Sequence, residues 1–210
     1  MPLKLKPGLT LYICRHGETE ANVQGRVQGR LMDTPLTNKG RQQARQIGDI
    51  ARSLGIDLES CFNVASPLGR AKATLEIIRE GMGLPRDGYA TDERLTEIDY
   101  GTWTGMTHAQ ARALDPTVYD ARHADRWNVP IPGGESYADV ARRTEAWAAS
   151  LSADTFAVSH GVFTRIFRGL LEDLTVQEIS DLDEPQGVLF RIRQNRVERI
   201  GIEECLTGEN

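Results

Sequence analysis

Alternating strand-like and helix-like segments predict an α/β protein: a three-layer sandwich with a mainly parallel central sheet flanked by helices. Three observations carry that prediction. Three apolar runs, Leu9 to Cys14 (LTLYIC), Cys61 to Ala65 (CFNVA) and Thr155 to Ser159 (TFAVS), have the length and composition of buried strands. Each leads toward a segment with helical character, and repeated strand-then-helix units imply parallel pairing with helices on both faces. The chain has 210 residues, enough for one domain that buries on the order of 70% of its unfolded surface.

Each element has a local reason. After the first run and a glycine-bearing loop, Ala44, Ile47, Ile50, Ala51 and Leu54 recur at helical spacing over about 38–54. Thr37 or Asn38 is the expected cap there and Gly55 the stop. Ser66-Pro67 opens a helix expected to run to about Gly81, with Pro67 in the tolerated first turn. Another helix is expected from Gly161, and one over Tyr137 to Leu151. Val188 to Ile192 and Val197 to Ile202 flank the polar turn Gln194-Asn195 and read as a terminal hairpin. The stretch of about 101–136 is rich in Trp, Pro, Gly and charge, and only Met106 to Leu114 looks helical. It reads as an insertion over the active site within a single domain spanning 1–210, because its own core would be too small to stand alone.

Composition narrows the function classes. A net charge of -5 argues against nonspecific binding to nucleic acid or an anionic membrane surface. The N-terminus lacks the apolar stretch of a signal peptide, and no segment is long and apolar enough to span a bilayer. Three cysteines, Cys14, Cys61 and Cys205, without motif spacing fit free thiols in a reducing compartment. The expected location is therefore the cytoplasm.

The chemistry sits where the strands end. They end in Arg15-His16-Gly17, Ser66-Pro67-Leu68-Gly69-Arg70 and Ser159-His160-Gly161. Open parallel sheets bind ligands outside the carboxyl ends of their strands, so two arginines and two histidines converge at one edge. Loop and helix starts there offer free N–H groups to an anion, and the planar fork of arginine suits phosphate. Buried beside two cations, a histidine stays neutral and nucleophilic. His16, between Arg15 and the Gly17 turn, is the nucleophile, and His160 donates to the transferring oxygens. The leaving oxygen also needs a proton. Glu97 and Asp99, both within Arg94 to Gly101, are the acidic candidates, and local pattern does not choose between them.

Five segments, in order along nearly the whole chain, carry a resemblance: LYICRHGE (11–18), SPLGRAKAT (66–74), LTEIDYGTWTG (95–105), GGES (133–136) and SHG (159–161). Together they resemble the histidine phosphatase superfamily in its phosphoglycerate-mutase-like branch. The resemblance implies that His16 becomes phosphorylated and that Arg15, Arg70 and His160 clasp the phosphate. It implies that Glu97 is the proton donor, filling the glutamate of a Leu-x-Glu-x-x-x-Gly pattern. It further implies that Asn22 and the Gln28-Gly29 turn contact the phosphate or its ester. No metal and no cofactor are implied, since arginines and histidines supply the positive field.

The expected function is hydrolysis of small phosphate monoesters through a phosphohistidine. One alternative is phosphoglycerate-mutase-type transfer, since both share the first half-reaction. Mutases of the family carry a longer basic insertion, whereas here Arg112, Arg122 and Arg126 are scattered among Asp115, Asp120 and Asp125. A non-catalytic module binding a phosphorylated ligand is the other alternative. The expected partner is a small phosphorylated substrate, with an isologous homodimer as the default assembly for a soluble enzyme. Elsewhere plainer readings apply. His108 and His123 are expected at the surface, Arg142-Arg143 on a solvated helix face, Lys72 in solvent and Trp103 in the core under the insertion. Glu18 lacks the third ligand that a metal site with His16 would need.

Overall fold

The computed structural model describes residues 3–201. In chain order its elements are β1 (Thr10–Arg15), α1 (Glu20–Val23), α2 (Asn38–Ser53), β2 (Phe62–Ala65), α3 (Gly69–Gly81), β3 (Ala90–Thr91), α4 (His108–Leu114), α5 (Pro116–Ala124), α6 (Tyr137–Ser150), β4 (Thr155–Ser159), α7 (Gly161–Leu171), α8 (Val176–Asp181), β5 (Leu189–Arg193) and β6 (Arg196–Ile200). The six strands form one sheet in the order β3-β2-β4-β1-β5-β6. β1, β2, β3 and β4 are mutually parallel, while β5 and β6 add antiparallel at one edge. The expected α/β sandwich is the observed one.

Alternation along the strands builds the two faces. Leu11 and Ile13 of β1, Val64 of β2 and Ala157 of β4 join one apolar cluster with Val140, Trp147, Phe163 and Phe167 of α6 and α7. Cys14, Ala65, Phe156 and Val158 join the opposite cluster with Ile47, Ile50, Leu75 and Ile78 of α2 and α3. Trp147 meets Phe163 and Phe167 edge-on at 5.8 Å, the geometry that ring quadrupoles favour. Cys14 is buried and Cys61 half-buried, both as free thiols. Cys205 and Ile202 lie outside the described residues.

Several boundaries differ from the sequence expectation. α2 is capped by Thr37, whose side chain accepts from Gly40 N–H, and ends at Ser53 with Leu54 as its C-terminal cap. α3 begins at Gly69 with Leu68 as cap, so Pro67 precedes the helix instead of occupying its first turn. The reason is tertiary: the carboxylate of Asp33 takes the N–H groups of Gly69 and Arg70, doing from another loop what a local cap would do. The 101–136 stretch holds two helices, not one. α4 starts at His108 behind a Thr107 cap, and α5 follows from Asp115 as cap with Pro116 in its first turn. That Asp-Pro pair is a helix-start signal that the charge-rich composition obscured. The hairpin turn places Gln194 and Asn195 at φ 52° and 60°, the left-handed pair of a tight two-residue turn.

Candidate active site

The predicted residues come together at the carboxyl edge of the parallel strands. His16 leaves the end of β1 with its N–H bonded to Ser159 O on β4 at 2.9 Å. Gly17 then passes so close to Gly40 at the start of α2 that a methyl group would collide with the Gly40 carbonyl. The glycine of Arg-His-Gly serves this close approach.

His16 is almost fully buried. Its Nδ1 lies 2.8 Å from Gly17 O, a contact that places the ring proton on Nδ1 and leaves Nε2 with a lone pair. Arg70 Nε donates to that Nε2 at 3.2 Å. Burial, then Arg70 and Arg15, hold the imidazole well below its ordinary pKa, against the opposing bond to Gly17 O. The ring is neutral at physiological pH.

Arg70, in the first turn of α3, is 2% exposed and anchored on several sides. It donates to Gly29 O at 2.8 Å, Met32 O at 3.1 Å and Asp33 Oδ1 at 3.1 Å. Arg15 donates through Nη1 to Glu184 O at 2.6 Å, while its Nε is buried without a hydrogen-bond partner. His160 is the N-cap residue of α7 and is completely buried; it does not line the cavity, but its ring lies 5.1 Å from that of His16. Its Nε2 lies 2.7 Å from Ser66 Oγ, and Ser66 Oγ also accepts from Leu68 N–H. His160 Nδ1 is likewise buried without a partner. Two such orphaned polar atoms cost about 1–3 kcal/mol each while they stay unpaired. Burial and Arg70 hold His160 well below its ordinary pKa.

The two acidic candidates, Glu97 and Asp99, stand apart in the structure. Glu97 is buried on the cavity wall, whereas Asp99 is turned aside, its Oδ1 accepting from Gly101 N–H. Glu97 Oε1 accepts from Ile98 N–H at 3.0 Å and Val162 N–H at 3.2 Å, leaving Oε2 as the oxygen to hold a proton. Burial, with the nearby Glu184 carboxylate second, raises its pKa against the pull of Arg15.

Asn22, on the single turn of α1, lines the same cavity. Its Oδ1 accepts from Thr19 N–H and Gln186 Nε2, so its amide N–H groups are the free end. Gln28 and Gly29 line it as well. Gln28 braces the loop, donating to Thr19 Oγ1 at 2.8 Å and accepting from Thr34 at 2.9 Å. Gly29 adopts φ +58° and offers its carbonyl to Arg70. The cavity measures about 230 Å³ and also touches Arg26, Tyr100, His108 and Glu184. Among the described residues no group of three or more His, Cys, Asp or Glu side chains is placed to hold a metal ion. Glu18 is bonded to Thr37 and Lys39. No helix among those residues is long and apolar enough to cross a membrane.

Sequence reasoning did not find Glu184 or Asp33. Both sit in loops with no pattern of their own, and their roles exist only through Arg15, Arg165 and Arg70. The expectation for Arg143 is corrected. Arg142 is exposed, but Arg143 is largely enclosed, pairs with Glu135 at 3.2 Å and donates to the carbonyls of Arg94 and Thr96, bracing the segment that carries Glu97. Lys72 is half-buried. His108 and His123 are exposed as expected, and they line a second cavity beside the first. Trp103 is buried, and Trp127 packs half-buried against the same core.

Comparison with known proteins agrees with this arrangement. A relative from Salmonella paratyphi B, named probable phosphoglycerate mutase GpmB, is 38% identical over 167 residues, covering 73% of this chain and 70% of its own. The structure of Bacillus stearothermophilus YhfR superposes with a TM-score of 0.77 at 31% identity, covering 91% of this chain and 95% of that one. A mycobacterial glucosyl-3-phosphoglycerate phosphatase complexed with VO3 superposes at TM-score 0.74 and 29% identity, covering 92% and 97%. Alpha-ribazole phosphatase from Shigella flexneri gives 0.78 at 25% identity, covering 92% and 95%. The profile of the histidine phosphatase superfamily (branch 1) matches residues 11–198. Because that match covers most of the chain, the chain belongs to the histidine phosphatase superfamily.

Proposed function

We propose that the protein hydrolyses small phosphate monoesters, without a metal, through a phosphohistidine on His16. The observation that carries this reading is the tautomer of His16. Nδ1 is held by Gly17 O, so the nucleophilic Nε2 points to the Arg70 guanidinium.

The ester's phosphoryl oxygens take the N–H groups of Arg70, Arg15 and His160, and Arg70 releases the Nε2 lone pair as it turns to a better, charged acceptor. His16 Nε2 attacks phosphorus in line. The P–O ester bond breaks, its electron pair goes to the leaving oxygen, and the proton on Glu97 follows. Water then attacks the phosphohistidine, Glu97 takes a proton from it, and the N–P bond breaks to release inorganic phosphate and neutral His16. Arg15, Arg70 and His160 stabilise the charge that builds on the oxygens, the largest contribution in transfers of this kind.

Hydrolysis is preferred over mutase-type transfer because the cavity is open to water through the exposed residues at its mouth and the 101–136 segment contributes only the short helices α4 and α5. Structural neighbours named as phosphatases are consistent with this preference. The relative named as a probable mutase defines the competing outcome. The test is hydrolysis of p-nitrophenyl phosphate with EDTA present, together with trapping of labelled phosphate on the protein. Activity that survives EDTA and disappears with the label in His16→Ala supports the reading. Equal labelling of His16→Ala sinks it, and interconversion of phosphoglycerates faster than any hydrolysis transfers the assignment to the mutase. The proposed setting is the cytoplasm and the proposed assembly a homodimer, which light scattering on the eluting protein checks.

A further inference from the structure

The Gly-Gly-Glu-Ser segment at 133–136 lines no part of the phosphate cavity, yet it grips the stretch that carries Glu97. Gly133 turns at φ +71°. Gly134 then passes so close to that stretch that a methyl group on it would strike the Asp99 carbonyl. This approach lets Glu135 hold Asp99 twice. Its backbone N–H donates to Asp99 O at 3.0 Å, and its Oε2 accepts from Asp99 N–H at 2.9 Å. Ser136 closes the segment as the cap of α6, its Oγ accepting from Asp139 N–H. The helix started there brings Arg143 back onto Glu135.

Arg143 and Glu135 meet at two points. Nε donates to Oε1 at 3.2 Å and Nη2 to Oε2 at 3.3 Å. The remaining nitrogen, Nη1, reaches Arg94 O at 2.8 Å and Thr96 O at 2.7 Å. Between those two carbonyls, Leu95 O accepts from Ser159 Oγ at 2.7 Å. The three carbonyls before Glu97 are thus tied down, and so are both backbone groups of Asp99 beyond it. The two side chains are largely enclosed, at 17% and 13% exposure. An enclosed ion pair is a poor device for stability, because desolvation offsets much of its Coulomb attraction. What it supplies here is a single geometry, since the planar fork of arginine admits few alternatives.

We infer that Glu135 and Arg143 are positioning residues whose pairing sets where the Glu97 carboxyl meets the leaving oxygen, a role that rests on the phosphate-ester reading above. Neither lines the cavity. In Glu135→Gln one accepting oxygen becomes a donating amide, which then faces Asp99 N–H or the Arg143 guanidinium, donors themselves.

Two esters with unlike leaving groups test it. Glu135→Gln is expected to lower kcat on glycerol 3-phosphate by about 10–10²-fold, the scale of a misplaced catalytic group. On p-nitrophenyl phosphate, whose leaving oxygen needs little proton donation, the loss is expected to stay under about threefold. Added to Glu97→Gln, it is expected to cost nothing more on glycerol 3-phosphate, because the donor it places is gone. Arg143→Lys keeps the charge without the fork and is expected to follow Glu135→Gln. Equal losses on the two esters, losses that add to that of Glu97→Gln, or unchanged kinetics in both variants overturn the role. A second readout needs no turnover. Val162 N–H, in the first turn of α7 where no intrahelical acceptor exists, donates to Glu97 Oε1. Its hydrogen exchange is expected to quicken at least about tenfold in Glu135→Gln while the amides of β4 keep their rates. Exchange that quickens everywhere alike, or nowhere, overturns the role. Circular dichroism checks folding, and Arg143→Lys carries both measurements if Glu135→Gln does not fold. Collapse of both variants would make the pair a support of the fold alone, which also overturns the role. A wild type that hydrolyses neither ester, with the Val162 response intact, instead overturns the phosphatase reading.

Discussion

Arg70 Nε lies 3.2 Å from His16 Nε2, so the guanidinium occupies the lone pair that attacks phosphorus in the proposed mechanism. Asp33, Met32 O and Gly29 O hold the guanidinium at this point from the other side. A lysine would supply charge but neither the fork nor these three anchors. Arg70→Lys is expected to lower kcat/KM on p-nitrophenyl phosphate by about 10²-fold or more, the effect of losing one oxyanion donor. A loss under fivefold in a steady-state assay would show that Arg70 is not part of the clasp.

Glu97 as general acid makes a leaving-group prediction. Proton donation contributes about 10²–10⁴-fold where the leaving oxygen is basic, and p-nitrophenolate needs little of it. Glu97→Gln is therefore expected to depress kcat far more on an alkyl phosphate such as glycerol 3-phosphate than on p-nitrophenyl phosphate. Equal losses on both would assign Glu97 to positioning alone.

In the proposed mechanism the two pKa shifts set the shape of the expected pH profile. His16 acts when neutral and is held below its ordinary 6.5, so the acid limb lies below that value. Glu97 acts when protonated and is held above its ordinary 4.5, so the alkaline limb lies above that value. Glu184 is the second cause of the Glu97 shift, after burial. In Glu184→Gln the alkaline limb is expected to move to lower pH, measured as kcat against pH. A limb that does not move would separate Glu184 from the proton donor.

Stability carries its own pH signature. His160 is neutral in the folded protein with its pKa depressed by burial and Arg70. Below about 6.5 the unfolded chain takes up a proton that the folded chain does not, so stability falls as pH falls. Glu97, with its pKa raised on folding, works in the opposite sense through its own titration range. His160→Gln is expected to lose less stability between pH 7.5 and 5.5 than the wild type, read as the shift in urea midpoint. A larger loss in the variant would contradict a neutral, buried His160.

The close approach of Gly17 and Gly40 makes a packing prediction. A methyl group on Gly40 would strike the Glu18 backbone, and one on Gly17 the Gly40 carbonyl. Neither glycine has a positive φ, so the constraint is space, not conformation. Gly40→Ala is expected to destabilise by about 1–3 kcal/mol and to impair activity by displacing the loop that leaves His16. Unchanged thermal stability would mean that α2 can move away freely.

Much of the fold was legible because its cues are local. The runs ending in Cys14, Ala65 and Ser159 are apolar enough to be central strands only, and the periodic positions of α2 mark its buried face. Residues that act at strand ends were legible for the same reason, since His16, Arg70 and His160 inherit their place from the strands before them. What was not legible depends on partners distant in the chain. The start of α3 shifted because Asp33 caps it, and Arg143 proved a brace because Glu135 and the carbonyls of Arg94 and Thr96 surround it. The helix α5 was hidden inside a charged segment although its Asp-Pro start was present.

By itself the sequence determined the parallel sheet, the edge at which chemistry gathers and the pair of histidines and arginines found there. Strand periodicity and strand ends are properties of a few consecutive residues. Only the tertiary structure decided that Glu97 and not Asp99 lines the cavity with His16, that Glu184 stands beside it, and that Arg122 lies buried without an acceptor. Those outcomes depend on burial and charge summed over segments far apart in the chain, quantities that exist only once the segments have met.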